Sequence, residues 1–356
     1  MADTDGRHLP TFVEGFHDVK AVGRMKYAVL GSTGLTVSQL SFGASSLGSV
    51  FHDTDEAESI QVVHKALRSG INYIDTAPWY GHGKSETVLG KALKDIPRQS
   101  YYLATKVCRY EADVHKMFDF SAERTLKSVD ESLARLGLSY VDIIQVHDME
   151  FAPSLDVVVN ETLPALQKVK ESGKAKFIGI TGYPLGNFRK VIERSPVKID
   201  TVLSYCHGSL NDNSLQDELQ YFHERGIGVI NASPISMGLL SHRGPPAWHP
   251  ATQDIKEACR QAAEYCKSKG ADISRLAMHF TLNQQGVPTT LVSTASQANL
   301  DRNVRTVYEE MTSDEKETLE YICERYFKPL NNKTWEGVEV ENYNKMKQGS
   351  GTGTLG

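Results

Sequence analysis

Eight short apolar, β-prone runs punctuate this chain, at 39–44, 71–75, 101–106, 140–147, 176–181, 201–205, 228–232 and 289–293. Between them lie segments with apolar residues at helical spacing, at 56–69, 85–94, 121–136, 155–172, 187–194, 214–225 and 254–285. Strict alternation of strand and helix predicts parallel strands joined by right-handed crossovers. Runs 141–146 and 177–180 are apolar almost throughout, as expected of strands covered on both faces. Eight such units over this length predict an α/β fold, a closed (β/α)8 TIM barrel of about 250 residues plus insertions. An open doubly wound sheet is the competing architecture, but it would carry a G-x-G-x-x-G turn after its first strand, where this chain has none. Gly31-Ser-Thr-Gly34 comes earlier and reads as the turn of an N-terminal hairpin cap built from 27–30 and 36–40.

The expected organisation is an irregular N-terminal extension (1–24), the barrel (25–328) and a C-terminal extension (329–356) whose end is flexible by composition. The stretch 329–343, with Trp335, either packs across the barrel or hugs its surface. With 356 residues, two-fifths of them hydrophobic, the chain can bury one large core. A net charge of −5 and the lack of any Lys/Arg block argue against nucleic acid as a partner. The polar N-terminus and the absence of about 18 consecutive apolar residues predict a cytoplasmic protein with no membrane contact. Five scattered cysteines without C-x-x-C spacing read as reduced structural thiols, and no metal site is expected.

In such a barrel the working residues lie at the C-terminal ends of strands. Asp75, Lys106 and His147 close the second, third and fourth runs, and Tyr80 follows Asp75 in Thr76-Ala-Pro-Trp-Tyr80-Gly. Each of the first three has an ordinary reading alone, as a turn cap, a solvated cation or a core histidine. Neighbouring strands would converge them. A phenol with a pKa of about 10 exchanges protons poorly near neutrality until a cation stabilises its phenolate. Lys106 can supply that cation, Asp75 can hold it protonated, and His147 can hydrogen-bond a substrate oxygen beside Tyr80.

At these residues the chain resembles the aldo-keto reductase family, and at Ser41-Phe-Gly-Ala-Ser-Ser-Leu-Gly, Phe118-Asp-Phe-Ser-Ala-Glu-Arg124, Phe177-Ile-Gly-Ile-Thr-Gly182, Leu203-Ser-Tyr-Cys-His207 and Gly238-Leu-Leu-Ser-His-Arg-Gly-Pro-Pro-Ala-Trp-His-Pro250 its L-galactose dehydrogenase subgroup. The resemblance covers about residues 25–330. It implies a catalytic tetrad of Asp75, Tyr80, Lys106 and His147, and NAD-linked oxidation of the anomeric carbon of an aldose to a lactone. It also implies a dinucleotide site drawn from Gly43, Thr181, Gly182, Ser204, Tyr205, Ser233, Pro234, Ser293, Thr294, Ser296, Asn299 and Asn303. Thr181-Gly182 and Leu203 stand where many members carry Ser-Asn and Gln for the nicotinamide amide. Ala232 replaces the usual stacking aromatic, leaving Tyr205 as its expected substitute. Ser293 and Asn299 stand where NADP-preferring members carry Lys and Arg, so the resemblance implies NAD, with Arg302 near enough in sequence to keep NADP use open.

A sugar would want aromatic faces and directed polar groups. Phe51, Trp79, His82, Tyr110 and Trp248 are the expected substrate contacts, with Arg109 and His249 as further polar candidates. The expected partner is a small-molecule sugar or aldehyde. An NADPH-dependent aldehyde or ketone reductase and a cofactor-sensing binding subunit of another protein are the alternative readings.

Overall fold

The computed structural model describes residues 6–50 and 52–349. Two strands, β1 (Tyr27–Val29) and β2 (Thr36–Ser38), pair antiparallel as the expected hairpin. Its turn needs glycine: Gly31 has φ +53°, and a Cβ there would lie 2.3 Å from the backbone nitrogen of Gly228. The eight barrel strands follow as β3 (Leu40–Gly43), β4 (Tyr73–Asp75), β5 (Tyr102–Val107), β6 (Val141–Val146), β7 (Ala175–Gly182), β8 (Thr201–Tyr205), β9 (Gly228–Ala232) and β10 (Thr289–Ser293). All eight pair in parallel in sequence order, and β10 closes onto β3.

Side chains alternate between the interior and the helix layer. Tyr73, Ala104, Ile143, Leu203, Ile230 and Leu291 fill the lower interior, where the hairpin residues Leu30, Leu35 and Val37 plug it. Each plugging side chain contributes about 1.5–3 kcal/mol by leaving water. The other parity, including Ile74, Ile144, Ile178 and Val202, faces the helices in the larger core.

Local signals set the helix ends. Ser121 caps Ala122–Leu136 by accepting from the Arg124 N–H (3.3 Å), and Gly137 ends that helix in the left-handed conformation. Two expectations need correcting. The segment 254–285 is two helices, Gln253–Ser268 and Ile273–Leu282, because Gly270 (φ +70°) breaks the first and Asp272 caps the second. Within the stretch read as irregular lies a helix, Val19–Arg24, capped by Asp18 (2.9 Å to the Lys20 N–H). It is too short for its apolar period to show. No helix among the described residues is long and apolar enough to cross a membrane.

The C-terminal extension runs over the mouth of the barrel. Trp335 is buried, stacked on Tyr183 just beyond β7 (4.8 Å between rings), and its backbone N–H donates to the Tyr183 hydroxyl (3.2 Å). The helix Val338–Lys347 then sets Tyr343 edge-on to Phe118 and Phe151 (5.2 and 5.6 Å), in the loops after β5 and β6. Packing across the barrel is therefore the course this segment takes.

Candidate active site

Asp75 ends β4, Lys106 is the penultimate residue of β5, and His147 directly follows β6. Tyr80 hangs over them on a turned loop that packs on the loop after β3. A Cβ at Gly48 would sit 2.4 Å from the Tyr80 carbonyl oxygen, so only glycine permits this approach. The structure brings all four side chains together. The Lys106 ammonium is 2 % exposed and forms an ion pair with Asp75 Oδ1. It also donates to the Thr76 carbonyl (2.9 Å) and to the Tyr80 hydroxyl (3.2 Å). The His147 ring meets the Tyr80 ring edge-on at 5.8 Å.

Electrostatics assign protonation states. Burial works against the Lys106 charge, but Asp75 and Tyr80 outweigh it and lift the ammonium above its ordinary value. Burial raises the Tyr80 phenol, and the opposing pull of Lys106 cancels only part of that rise. Burial, with Lys106 and Arg109 nearby, holds His147 well below its usual value, so its imidazole is neutral and can donate one hydrogen bond. Its Nδ1 is buried without a hydrogen-bond partner among the described residues.

Beside the tetrad lies a group of carboxylates that sequence reasoning missed. Asp148, in a left-handed conformation (φ +49°), accepts from Arg109 Nη1 (2.8 Å) and lies 3.6 Å from His147 Nε2. Glu150 accepts from the Tyr183 N–H (2.9 Å), and its Oε2 occupies the space that a Cβ at Gly182 would need. Glu339, from the C-terminal helix, accepts from the Tyr205 hydroxyl (3.3 Å). All three are raised, first by burial; Asp148 raises both glutamates further, and Arg109 offsets part of the rise at Asp148 and Glu339. The signal for Asp148 was its place next to His147. For Glu339 there was none, because its role depends on the route of the tail.

The residues expected to hold a dinucleotide divide into two groups. Ser293, Thr294, Asn299 and Asn303 line a cavity of about 490 Å³ with His242, Arg275 and Arg302, beside the helix Gln297–Tyr308 that Ser296 caps. Hydroxyls, amides and a guanidinium around a helix N-terminus fit the ribose and phosphate end of a dinucleotide. Arg302 donates to the Asn299 side chain in the wall of this cavity, whereas Arg275 is held by Glu315 (2.9 Å). Ser293 donates to the Ser46 hydroxyl and accepts its N–H (both 2.8 Å), so its proton is already committed. Gly43, opposite Ser293 on β10 and Asp75 on β4, and the Ser233-Pro234 turn that follows β9, with Ser233 at φ +60°, lie at the C-terminal end of the barrel. Thr181 faces inward, and its hydroxyl accepts from the Asp148 N–H (3.1 Å) while keeping a proton to donate.

Four expectations are corrected by the packing. Ser204 shares the parity of Val202, which faces the helix layer, so its buried hydroxyl lies on the wrong face for a nicotinamide amide. Tyr205 faces the interior but is tied to Glu339 and tilted on Tyr183, not presented as an open stacking face. The Tyr110 hydroxyl accepts from the Cys108 N–H (2.8 Å) and its ring is covered by Arg124, which makes it part of the wall. His249 spends Nε2 on the Ser236 carbonyl and Nδ1 on the Ala251 N–H (both 3.1 Å). Trp79 packs under the Arg109 guanidinium (4.1 Å), with exposed His82 against its edge (5.0 Å). Trp248 is half-buried and parallel to His249 (6.3 Å). Phe51 lies outside the described residues.

Comparison with known proteins agrees with this fold. The model of the aldo/keto reductase family matches residues 39–324. L-galactose dehydrogenase of Arabidopsis thaliana is 48 % identical over 88 % of this chain and 97 % of its own length. D-arabinose 1-dehydrogenase of Saccharomyces cerevisiae is 32 % identical over 84 % of this chain and 93 % of its own. Among solved structures, an aldo-keto reductase from Bacillus halodurans in its holo form superposes with a TM-score of 0.69 at 28 % identity, covering 84 % of this chain and 96 % of that one.

Proposed function

The chain belongs to the aldo/keto reductase family and is an NAD(P)-dependent oxidoreductase; from that premise we propose that it oxidises the anomeric carbon of an L-galactose-like aldose to an aldonolactone with NAD. The observation that carries the chemistry is the Lys106 ammonium set between Asp75 and Tyr80, 3.2 Å from the phenol oxygen. Nicotinamide, when bound, supplies the acceptor for the hydride from the anomeric carbon. Tyr80, as phenolate, takes the proton of the anomeric hydroxyl, and Lys106 stabilises the negative charge before transfer. Neutral His147 donates to the same sugar oxygen, which fixes that oxygen against Tyr80. As the proton reaches Tyr80, the anomeric oxygen becomes the carbonyl oxygen of the lactone.

The mouth supports an aldose over an apolar aldehyde. Asp148, Glu150 and Glu339 offer acceptors to hydroxyl groups, and the Trp79–Arg109 stack offers a flat wall. Relatives whose names specify aldose dehydrogenation point the same way. Arg302 favours a second reading, in which NADPH binds and Tyr80 acts as the acid in carbonyl reduction. Reduced-nicotinamide absorbance separates the two, with purified protein offered aldoses with NAD or NADP and aldehydes with NADH or NADPH. NAD-linked oxidation of L-galactose, D-arabinose or L-fucose is expected. Silence there, with NADPH consumed by aldehydes, would overturn the proposal.

A further inference from the structure

Asp75 is engaged through both carboxylate oxygens. Oδ1 faces Lys106, and Oδ2 accepts a 2.7 Å hydrogen bond from Nε2 of Gln145. Gln145 sits two residues before His147, so strand alternation points it into the same interior. Its register partners are Lys106 on β5 and Gly179 on β7. A Cβ at Gly179 would lie 3.0 Å from Gln145 Cγ, so that glycine makes room for the glutamine stem.

The other half of the amide shows what the residue is for. Gln145 is fully buried, yet its Oε1 has no hydrogen-bond partner among the described residues. A side chain retained only to fill this volume would do better as Met or Leu, which leave no buried acceptor unpaired. What the amide adds is the bond to Asp75.

We propose that Gln145 is a positioning residue that orients the Asp75 carboxylate and thereby keeps the Lys106 ammonium in reach of Tyr80. The three donors of Lys106 go to Asp75, the Thr76 carbonyl and Tyr80. A carboxylate released at Oδ2 can pivot to take Lys106 with both oxygens, drawing the ammonium off the phenol or screening its charge. Either change raises the proton affinity of Tyr80. The chain of control runs from Gln145 through Asp75 and Lys106 to the phenol oxygen, and its kinetic consequence rests on the proposed role of Tyr80.

The test compares wild type with Gln145→Met, which keeps the volume without the donor, and Gln145→Asn, which keeps the amide one methylene short. Two readouts are taken across pH: kcat for aldose oxidation, and Tyr80 ionisation measured as the phenolate absorbance that Tyr80→Phe removes in each background. The Met variant should move the Tyr80 midpoint upward by about one unit, and so lower kcat roughly tenfold at any fixed pH below it. KM for the sugar should stay within about twofold, since the Gln145 side chain is fully buried. If the Met variant does not fold, the Asn variant decides, with a shift in the same direction. An unchanged Tyr80 midpoint in a folded variant overturns the proposal, even where kcat or thermal stability falls. A wild type that turns over no substrate defeats the functional reading instead, and the absorbance titration still decides the role of Gln145.

Discussion

The two ends of the barrel hold the same chemical group, the buried carboxylate, in opposite ways. At the base, Asp142 is saturated by the Leu103 N–H (2.9 Å), Arg98 (2.6 Å) and Lys176 (3.0 Å). Asp200 is likewise held by the Ile178 N–H (3.0 Å), Lys170 (3.0 Å) and Lys198 (3.2 Å). At the mouth, Asp148, Glu150 and Glu339 are pushed toward protonation by burial, and Arg109 offsets part of that rise only at Asp148 and Glu339. Backbone strain follows the same division: Cys108, Asp148, Cys206 and Ser233, each just past a strand's C-terminal end, all have positive φ. The base spends its polar groups on holding the barrel closed, whereas the mouth leaves His147 Nδ1 and Glu150 Oε2 buried without a hydrogen-bond partner among the described residues.

That contrast can be broken by exchanging which end is damaged. Tyr80→Phe should lower kcat by roughly 10²–10⁴ while the protein still folds and still quenches on binding nicotinamide dinucleotide; retained turnover would remove Tyr80 from proton transfer. Asp142→Ala should do the reverse. It strands Arg98 and the Leu103 N–H at the base and should cost roughly 3 kcal/mol in denaturant unfolding, with kcat per folded molecule unchanged. A kcat that fell with stability would mean that the two ends are coupled.

The pH dependence sharpens the comparison further. Because burial holds the Tyr80 phenol above its ordinary value, the phenolate fraction is small at neutrality. Aldose oxidation should therefore accelerate about tenfold per pH unit below the midpoint, and the reverse reduction should slow as pH rises through it. A flat profile in a chemistry-limited assay would contradict this assignment. The smallest effect concerns His249, under the tail. Burial lowers its value to about 4 from 6.5, so the unfolded chain takes up this proton first as pH falls. Its contribution to stability is complete above about 6.5 and declines from there toward 4. His249→Gln should flatten that decline in melting temperature without altering turnover at neutral pH.

The strands and the tetrad were legible for one reason. Asp75, Lys106 and His147 are polar residues closing apolar runs, and in a parallel barrel strand ends of one polarity must share a mouth. Gln145 obeys the same rule, as a polar residue at the inward parity of β6, but reading 141–146 as an apolar run passed over it, and its donor role appears only when Asp75 is seen across the barrel. Tyr110 and His249 misled because an aromatic or imidazole in a loop looks the same whether it faces a ligand or binds backbone. Ser204 misled because proximity in a motif ignores which way a strand residue points.

Alternation of apolar runs, the turn at Gly31 and the strand-end residues are local facts. They determined the barrel, its hairpin plug and the order of the tetrad, because periodicity and backbone geometry act within a few residues. Tertiary structure alone decided that Trp335 and Glu339 lie over the mouth, that Arg109 pairs with Asp148 while lying on Trp79, and that Arg302 lines the cavity beside Asn299. Apart from Arg302 and Asn299, which share one helix, those contacts join residues distant in the chain, and side-chain protonation follows burial, which belongs to the closed barrel and to no segment of it.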